Sequence, residues 1–171
     1  MLRIEIAHPK DANAISKLAM QTFKESHGHS AAPAIIQSYL DERLNPAVIM
    51  EELNLPTNHY RLAYWNEELV GFSKILFDTP NSKIAEQHVC KLERLYVLSA
   101  YHDQKLGYKL FEENVQLAKQ HQQKGMWLYV WTENQRALRF YKKLGFNIIS
   151  STLFKLTETH SNPNYWMYLE F

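Results

Sequence analysis

The stretch from Lys91 to Phe111 limits the possible folds of this chain more than any other. Leu92, Arg94, Tyr96 and Leu98 alternate with Glu93, Leu95 and Val97, a run of strand length that ends in the polar segment Ser99 to Lys105. From Gly107 onward Leu110, Phe111, Val115, Leu117 and Ala118 recur at helical spacing, so a helix is expected to follow. Strand, tight loop and helix start form a device for holding phosphate. The first turn of a helix leaves amide N–H groups unpaired and carries a partial positive charge.

The remaining segments supply a sheet and further helices around that device. Leu2 to Ala7 reads as a first strand, and Pro9 and Asp11 open a helix whose stripe is Ile15, Leu18, Ala19, Thr22 and Phe23, with Gly28 as its stop. A second helical region lies between Gly28 and Thr57 in two pieces, the second capped by Asn45 with Pro46 in its first turn. His59 to Trp65 and Leu69 to Phe77 read as a hairpin about the turn Asn66 to Glu68, and Asp78 to Glu86 as a loop. Met126 to Trp131 is a buried strand, Asn134 to Leu144 a helix closed by Gly145, and Ile148 to Leu156 and Tyr165 to Phe171 are strands around a polar loop, Thr157 to Asn164. The expected class is α/β: one domain over residues 1–171, with a central mixed β-sheet and helices on both faces.

Bulk properties narrow the partners. At 171 residues and 46% hydrophobic, the chain fills one core. Lysine and arginine number 19 against 18 acids, which leaves no overall field for nucleic acid or an anionic membrane. The single cysteine, Cys90, fits a reducing compartment, and no run has the length or apolarity of a signal core or membrane span, so a cytoplasmic location is expected. Tyr165, Trp166 and Tyr168 belong either to the core or to the surface of a homodimer.

Two motifs carry a resemblance. Trp131 to Phe146, W-T-E-N-Q-R-A-L-R-F-Y-K-K-L-G-F, resembles the Asn-x-x-Ala-x-x-x-Tyr-x-x-x-Gly-Phe block of the GNAT superfamily of N-acetyltransferases, and Leu92 to Val97 resembles its acetyl-CoA-binding strand. Within the superfamily the chain is most similar to PaiA-type polyamine acetyltransferases, through Thr22-Phe23, Leu-Glu-Arg-Leu-Tyr-Val and Trp-Leu-Tyr-Val-Trp-Thr-Glu-Asn. The phosphate loop departs from the family pattern of Arg or Gln, two residues, Gly, one residue, then Gly or Ala. Counted from Val97 it falls on His102, Lys105 and Gly107; a register from Gln104 would put Lys109 where the second small residue belongs.

The resemblance implies acetyl-CoA held by Leu95, Tyr96 and Val97 on the strand, by His102, Lys105, Leu106, Gly107, Tyr108 and Lys109 at the loop and helix start, and by Asn134 and Tyr141. Asn134 is also a natural helix cap, and Lys109 equally a solvated helix lysine. Acetyl transfer needs a neutral amine, yet with an alkylammonium pKa near 10.4 only about one molecule in a thousand is neutral at roughly pH 7.4, a penalty of about 4 kcal/mol. Glu93 is the candidate base; the alternative is an ion-paired strand residue. Strand N–H groups near Tyr96 or Val97 are expected to polarise the thioester, and Tyr141 to protonate the leaving thiolate as general acid. The implied acceptor is a small-molecule amine such as spermidine or spermine, framed by Phe23, Glu25, Tyr39, Asp41, Glu42 and the Thr157 to Asn164 loop; a peptide amine, or a non-catalytic acyl-CoA sensor, are the alternatives. His27-x-His29 is too sparse for a metal site, and no metal is expected.

Overall fold

The computed structural model describes residues 1–171. A seven-stranded sheet in the order β1-β2-β3-β4-β5-β7-β6 runs through the molecule. Its strands are β1 (Leu2–Ile6), β2 (Asn58–Trp65), β3 (Glu68–Leu76), β4 (Val89–Val97), β5 (Gly125–Trp131), β6 (Asn147–Thr157) and β7 (His160–Glu170). Every neighbouring pair is antiparallel except β4 and β5, which run parallel. That parallel pair requires a crossover, and α4 (Leu106–Gln120) supplies it.

Helices α1 (Ala12–His27), α2 (Pro33–Arg43) and α3 (Pro46–Asn54) cover one face around Ile15, Leu40, Ile49, Leu62 and Phe72. On the other face α4 and α5 (Gln135–Lys143) pack over Ile75, Leu92, Met126, Leu128 and Met167. The alternation of β5 shows why both faces fill. Met126, Leu128 and Val130 enter the α4–α5 core, whereas Trp127 and Tyr129 belong to the opposite side. Local chemistry agrees with the architecture at α3, where the Asn45 side chain accepts from the Val48 N–H at 3.0 Å and Pro46 takes the first turn.

Two expected boundaries change. The hairpin turn between β2 and β3 is Asn66-Glu67 alone, with φ of 47° and 71°, the paired positive values of a two-residue turn. Thr157 to Asn164 is not a loop: Thr157 pairs with His160, and β7 is already running at Asn162. Pro163 is tolerated in that strand because β5 ends opposite Asn164. The ring nitrogen then lies beyond the ladder, and the Pro163 carbonyl accepts from the Thr132 N–H at 3.0 Å.

Two irregularities in β4 prepare the site. Lys74 pairs with Arg94 and Ile75 with Leu92, which leaves Glu93 as an extra, unpaired residue, a β-bulge. Glu93 and Arg94 consequently project from the same face, and simple alternation fails there. The second irregularity is a parting: β4 and β5 pair only at Val89/Gly125, Cys90/Met126 and Lys91/Trp127. Beyond these three pairs the strands separate and the sheet is open.

Candidate active site

The wedge between the parted strands joins two clefts, of about 610 and 780 Å³, that share Leu95, Tyr96, Trp131, Asn134, Ala137 and Tyr141. The larger lies on the loop side. There a short 3₁₀ segment, Ser99–Gln104, leads into α4 through Lys105, whose φ and ψ of 57° and 20° are left-handed. This is the position that the family fills with glycine, so the lysine adopts the conformation glycine would take, at a cost of about 1–2 kcal/mol. The His102 ring holds the loop closed, its Nε2–H donating to the Val97 carbonyl at 2.8 Å. Glu25 closes it from the other side by accepting from the Ser99 N–H at 2.8 Å.

The loop leaves its donors free. The first backbone bond of α4 is Lys109 N–H to the Lys105 carbonyl, so the amides of Leu106, Gly107 and Tyr108 have no backbone partner. A Cβ built on Gly107 would meet nothing nearer than the Phe140 ring at 3.7 Å, so the ground above these amides is open. Along β4 the Leu98 N–H donates to Val70 and the Tyr96 carbonyl faces Gly71, both toward β3. By the two-residue period Leu95 and Val97 present their main-chain groups to the gap left by β5. Tyr96 is thereby excluded as the polarising donor, and its ring packs against Phe72.

Tyr141 stands where the clefts meet. It is 9% exposed, its ring lies against Phe140 and Phe146, and burial raises its pKa well above the ordinary tyrosine value. The phenol therefore remains protonated throughout the neutral range. Asn134 caps α5 by accepting from the Ala137 N–H at 3.1 Å, which leaves its amide N–H groups available to the wedge.

The smaller cleft is lined by α1, α2, α3 and the β6–β7 pair, and here side chains dominate. Lys74 is nearly buried, 3.1 Å from Glu52 and in contact with Glu93. Arg94 reaches Glu52 at 2.7 and 3.3 Å and the Tyr60 hydroxyl at 2.6 Å, and that hydroxyl donates to Glu52 in turn. Lys91 approaches Glu93 at 3.3 Å. Burial alone would raise both carboxyl groups, but the cations outweigh it: Arg94 foremost for Glu52, and Lys74 for Glu93, hold each below the usual carboxylate range. Glu93 is thus ionised, with oxygens already engaged by two lysines.

Several expected residues take other places. Phe23 and Tyr39 line this cleft and stack on each other with centroids 4.6 Å apart, and Glu42 stands at its mouth. Glu25 lies on the loop side instead, because its carboxylate is drawn to the Ser99 amide. Asp41 faces solvent and accepts from Gln37. Lys109 is turned off the loop cleft, 2.8 Å from Glu112 one helical turn on. Leu106 is 1% exposed in the core and offers only its amide. Trp166 packs against Tyr129 at 5.8 Å and Tyr168 against Gly125, so both meet neighbours within the chain.

Glu52, Lys74 and His27 carry weight that the sequence reading did not give them. Ser26 Oγ lies 2.8 Å from the Thr22 carbonyl and 2.6 Å from His27 Nδ1, which fixes the orientation of the imidazole ring. Burial and then His29 lower the His27 pKa to about 4. No group of three or more metal-binding side chains is assembled, and no helix is long and apolar enough to cross a membrane.

The sequence profile of the acetyltransferase (GNAT) family matches residues 13–146. The chain belongs to that family. It is an N-acetyltransferase of GNAT type with the mixed sheet of that fold. An uncharacterized N-acetyltransferase of Mycobacterium tuberculosis (strain ATCC 25618 / H37Rv) is 29% identical over 152 residues, 89% of this chain and 93% of that one. Another, from Lactobacillus delbrueckii subsp. lactis, is 23% identical over 147 residues, 86% and 85% of the two chains. Among solved structures, the PaiA N-acetyltransferase from Thermoplasma acidophilum in complex with coenzyme A superposes with a TM-score of 0.79 at 20% identity, covering 100% of this chain and 99% of that one. A probable acetyltransferase from Staphylococcus epidermidis gives 0.75 at 17% identity, covering 99% of each.

Proposed function

We propose that this GNAT enzyme moves an acetyl group from acetyl-CoA to a primary amine of a small molecule by direct attack, with both substrates bound at once. The observation that carries this is the parting of β4 from β5, which leaves main-chain donors of Leu95 and Val97 facing a wedge that opens on both clefts. Acetyl-CoA supplies an activated thioester carbonyl. The free amides of Leu106, Gly107 and Tyr108, with the Lys105 ammonium beside them, suit its diphosphate. Asn134 orients the pantetheine arm. The Leu95 and Val97 amides stabilise charge on the acetyl oxygen, where one lost donor typically costs roughly 2.7–4 kcal/mol in acyl transfer. Tyr141 Oη delivers a proton to the departing sulfur. Glu93 receives the amine proton through water, since its own oxygens touch Lys74 and Lys91.

The resemblance of the sequence motifs to PaiA-type enzymes favours a polyamine acceptor such as spermidine or spermine, a choice that the Lys91 cation in the cleft opposes; a peptide amine is the second reading. Thiol release from acetyl-CoA, followed continuously with spermidine, spermine, a monoamine and a short peptide, tests both. Saturable release with one amine upholds the transfer. Calorimetric binding of acetyl-CoA with no release from any amine would instead favour a sensor.

A further inference from the structure

The charges of the acceptor cleft do not balance, and the imbalance has a location. Three cations, Lys74, Lys91 and Arg94, share two carboxylates, Glu52 and Glu93. Glu52 is taken by Arg94 and Lys74 together, and Glu93 by Lys74 at close contact. The unmatched charge falls on Lys91. Its ammonium has three donors but one hydrogen bond, at 3.3 Å, although its side chain is only 17% exposed. Its other neighbours are the ring faces of Trp127 and Tyr129, at 5.3 and 5.0 Å. A cation so placed gains from a further anion that brings acceptor oxygens to the vacant donors. At the mouth of the same cleft Arg43 and Glu42, neither in an ion pair, offset each other, and Lys155 is matched by Glu158, so the excess stays with Lys91.

We propose that Lys91 is an anion subsite and that the acceptor is a primary amine bearing a carboxylate several ångströms from its amino group. The inference rests on the acetyl-transfer reading above. Lys91 lies four residues before Leu95 on β4, roughly 13 Å of strand at about 3.3 Å per residue and less across the bulge. The lysine side chain, directed along the strand to Glu93, takes up part of that length. The amine at the wedge and the carboxylate at Lys91 are therefore separated by a chain of several bonds, lying along the aromatic wall of Phe23, Tyr39 and Trp131. A polyamine would instead bring a second ammonium against an unmatched lysine, where like charges repel.

Three acceptors with the same alkylamine isolate the distal charge: 6-aminohexanoate, hexylamine and 1,5-diaminopentane. In the thiol-release assay kcat/KM should fall in that order, with about tenfold or more between carboxylate and neutral chain. Lys91→Met should bring the ratio of 6-aminohexanoate to hexylamine close to one. A diamine equal to or better than the amino acid overturns the subsite. Should every amine be silent while acetyl-CoA binds, the transfer reading falls. The subsite is then decided by calorimetry in the presence of coenzyme A: 6-acetamidohexanoate must bind more tightly than N-hexylacetamide, and must lose that advantage in Lys91→Met. Equal binding of the two overturns it.

Discussion

On the loop side of Tyr141 the groups that face the cleft are main-chain ones, the amides of Leu106, Gly107 and Tyr108 and the opened edge of β4. On the other side they are side chains, Glu52, Glu93 and Arg94 among them, locked into one charged cluster with Tyr60 and Lys74 buried behind them. The first half depends on backbone conformation and tolerates unusual residues, as His102 and Lys105 show. The second depends on the identity of each charge. Loss of one loop residue should therefore weaken cofactor binding by degrees, whereas loss of one charged residue should disturb both stability and acceptor choice.

The largest effect is expected where the halves meet. Tyr141→Phe should lower kcat by roughly 10²–10⁴-fold, the range of a general acid, while the thermal midpoint stays close to that of the parent. An unchanged kcat across the pH range would remove the proton donor from the mechanism. Next is Glu52→Gln, which strips the shared partner from Arg94 and Lys74 and should cost about 3–5 kcal/mol in denaturant unfolding. Since the Glu52 pKa lies below its ordinary 4.5, its contribution is present above that pH and is lost as pH falls through the folded value. The acid limb of the stability curve should accordingly flatten in the variant.

His27 gives a smaller effect in a different window. Between its ordinary 6.5 and about 4 the unfolded chain takes up a proton that the folded chain refuses. Stability should drop as pH falls through that window, and His27→Gln should reduce the slope. Smallest is His102→Ala, which removes the bond to Val97 and should cost about 0.5–1.5 kcal/mol. Its sharper signature is a higher KM for acetyl-CoA with little change in kcat. If Glu52→Gln changed only KM for acetyl-CoA, or His102→Ala changed acceptor preference, the division between the halves would collapse.

How far the sequence reached follows the same division. Periodicity located the five α-helices, though not the 3₁₀ segment Ser99–Gln104, and Asn45-Pro46 marked the start of α3, because these signals are local. At the loop, the register counted from Val97 expects a glycine at Lys105, and the structure gives that residue a left-handed conformation. The bulge at Glu93 was not legible, since it depends on how β4 pairs with β3 and nothing in Leu-Glu-Arg-Leu marks an extra residue. Alternation therefore separated Glu93 from Arg94, although the two share a face. Glu52 comes from a helix 42 residues before Arg94, a meeting that only the tertiary fold creates. Thr157 to Asn164 read as a loop for a related reason, since its polar residues carry no strand signal and only pairing with β6 and β5 makes most of them a strand.

The three-pair ladder between β4 and β5 has a kinetic consequence. Above Lys91 the sheet is in effect two plates joined at one end, and the acceptor cleft draws its walls from both. A thioester arm lying in the wedge would act as a splint, fixing the angle between the plates before the amine arrives. The expected order of addition is then acetyl-CoA first and amine second. Amide exchange along Leu95 and Val97 should slow when coenzyme A is added and change little when the amine is added alone.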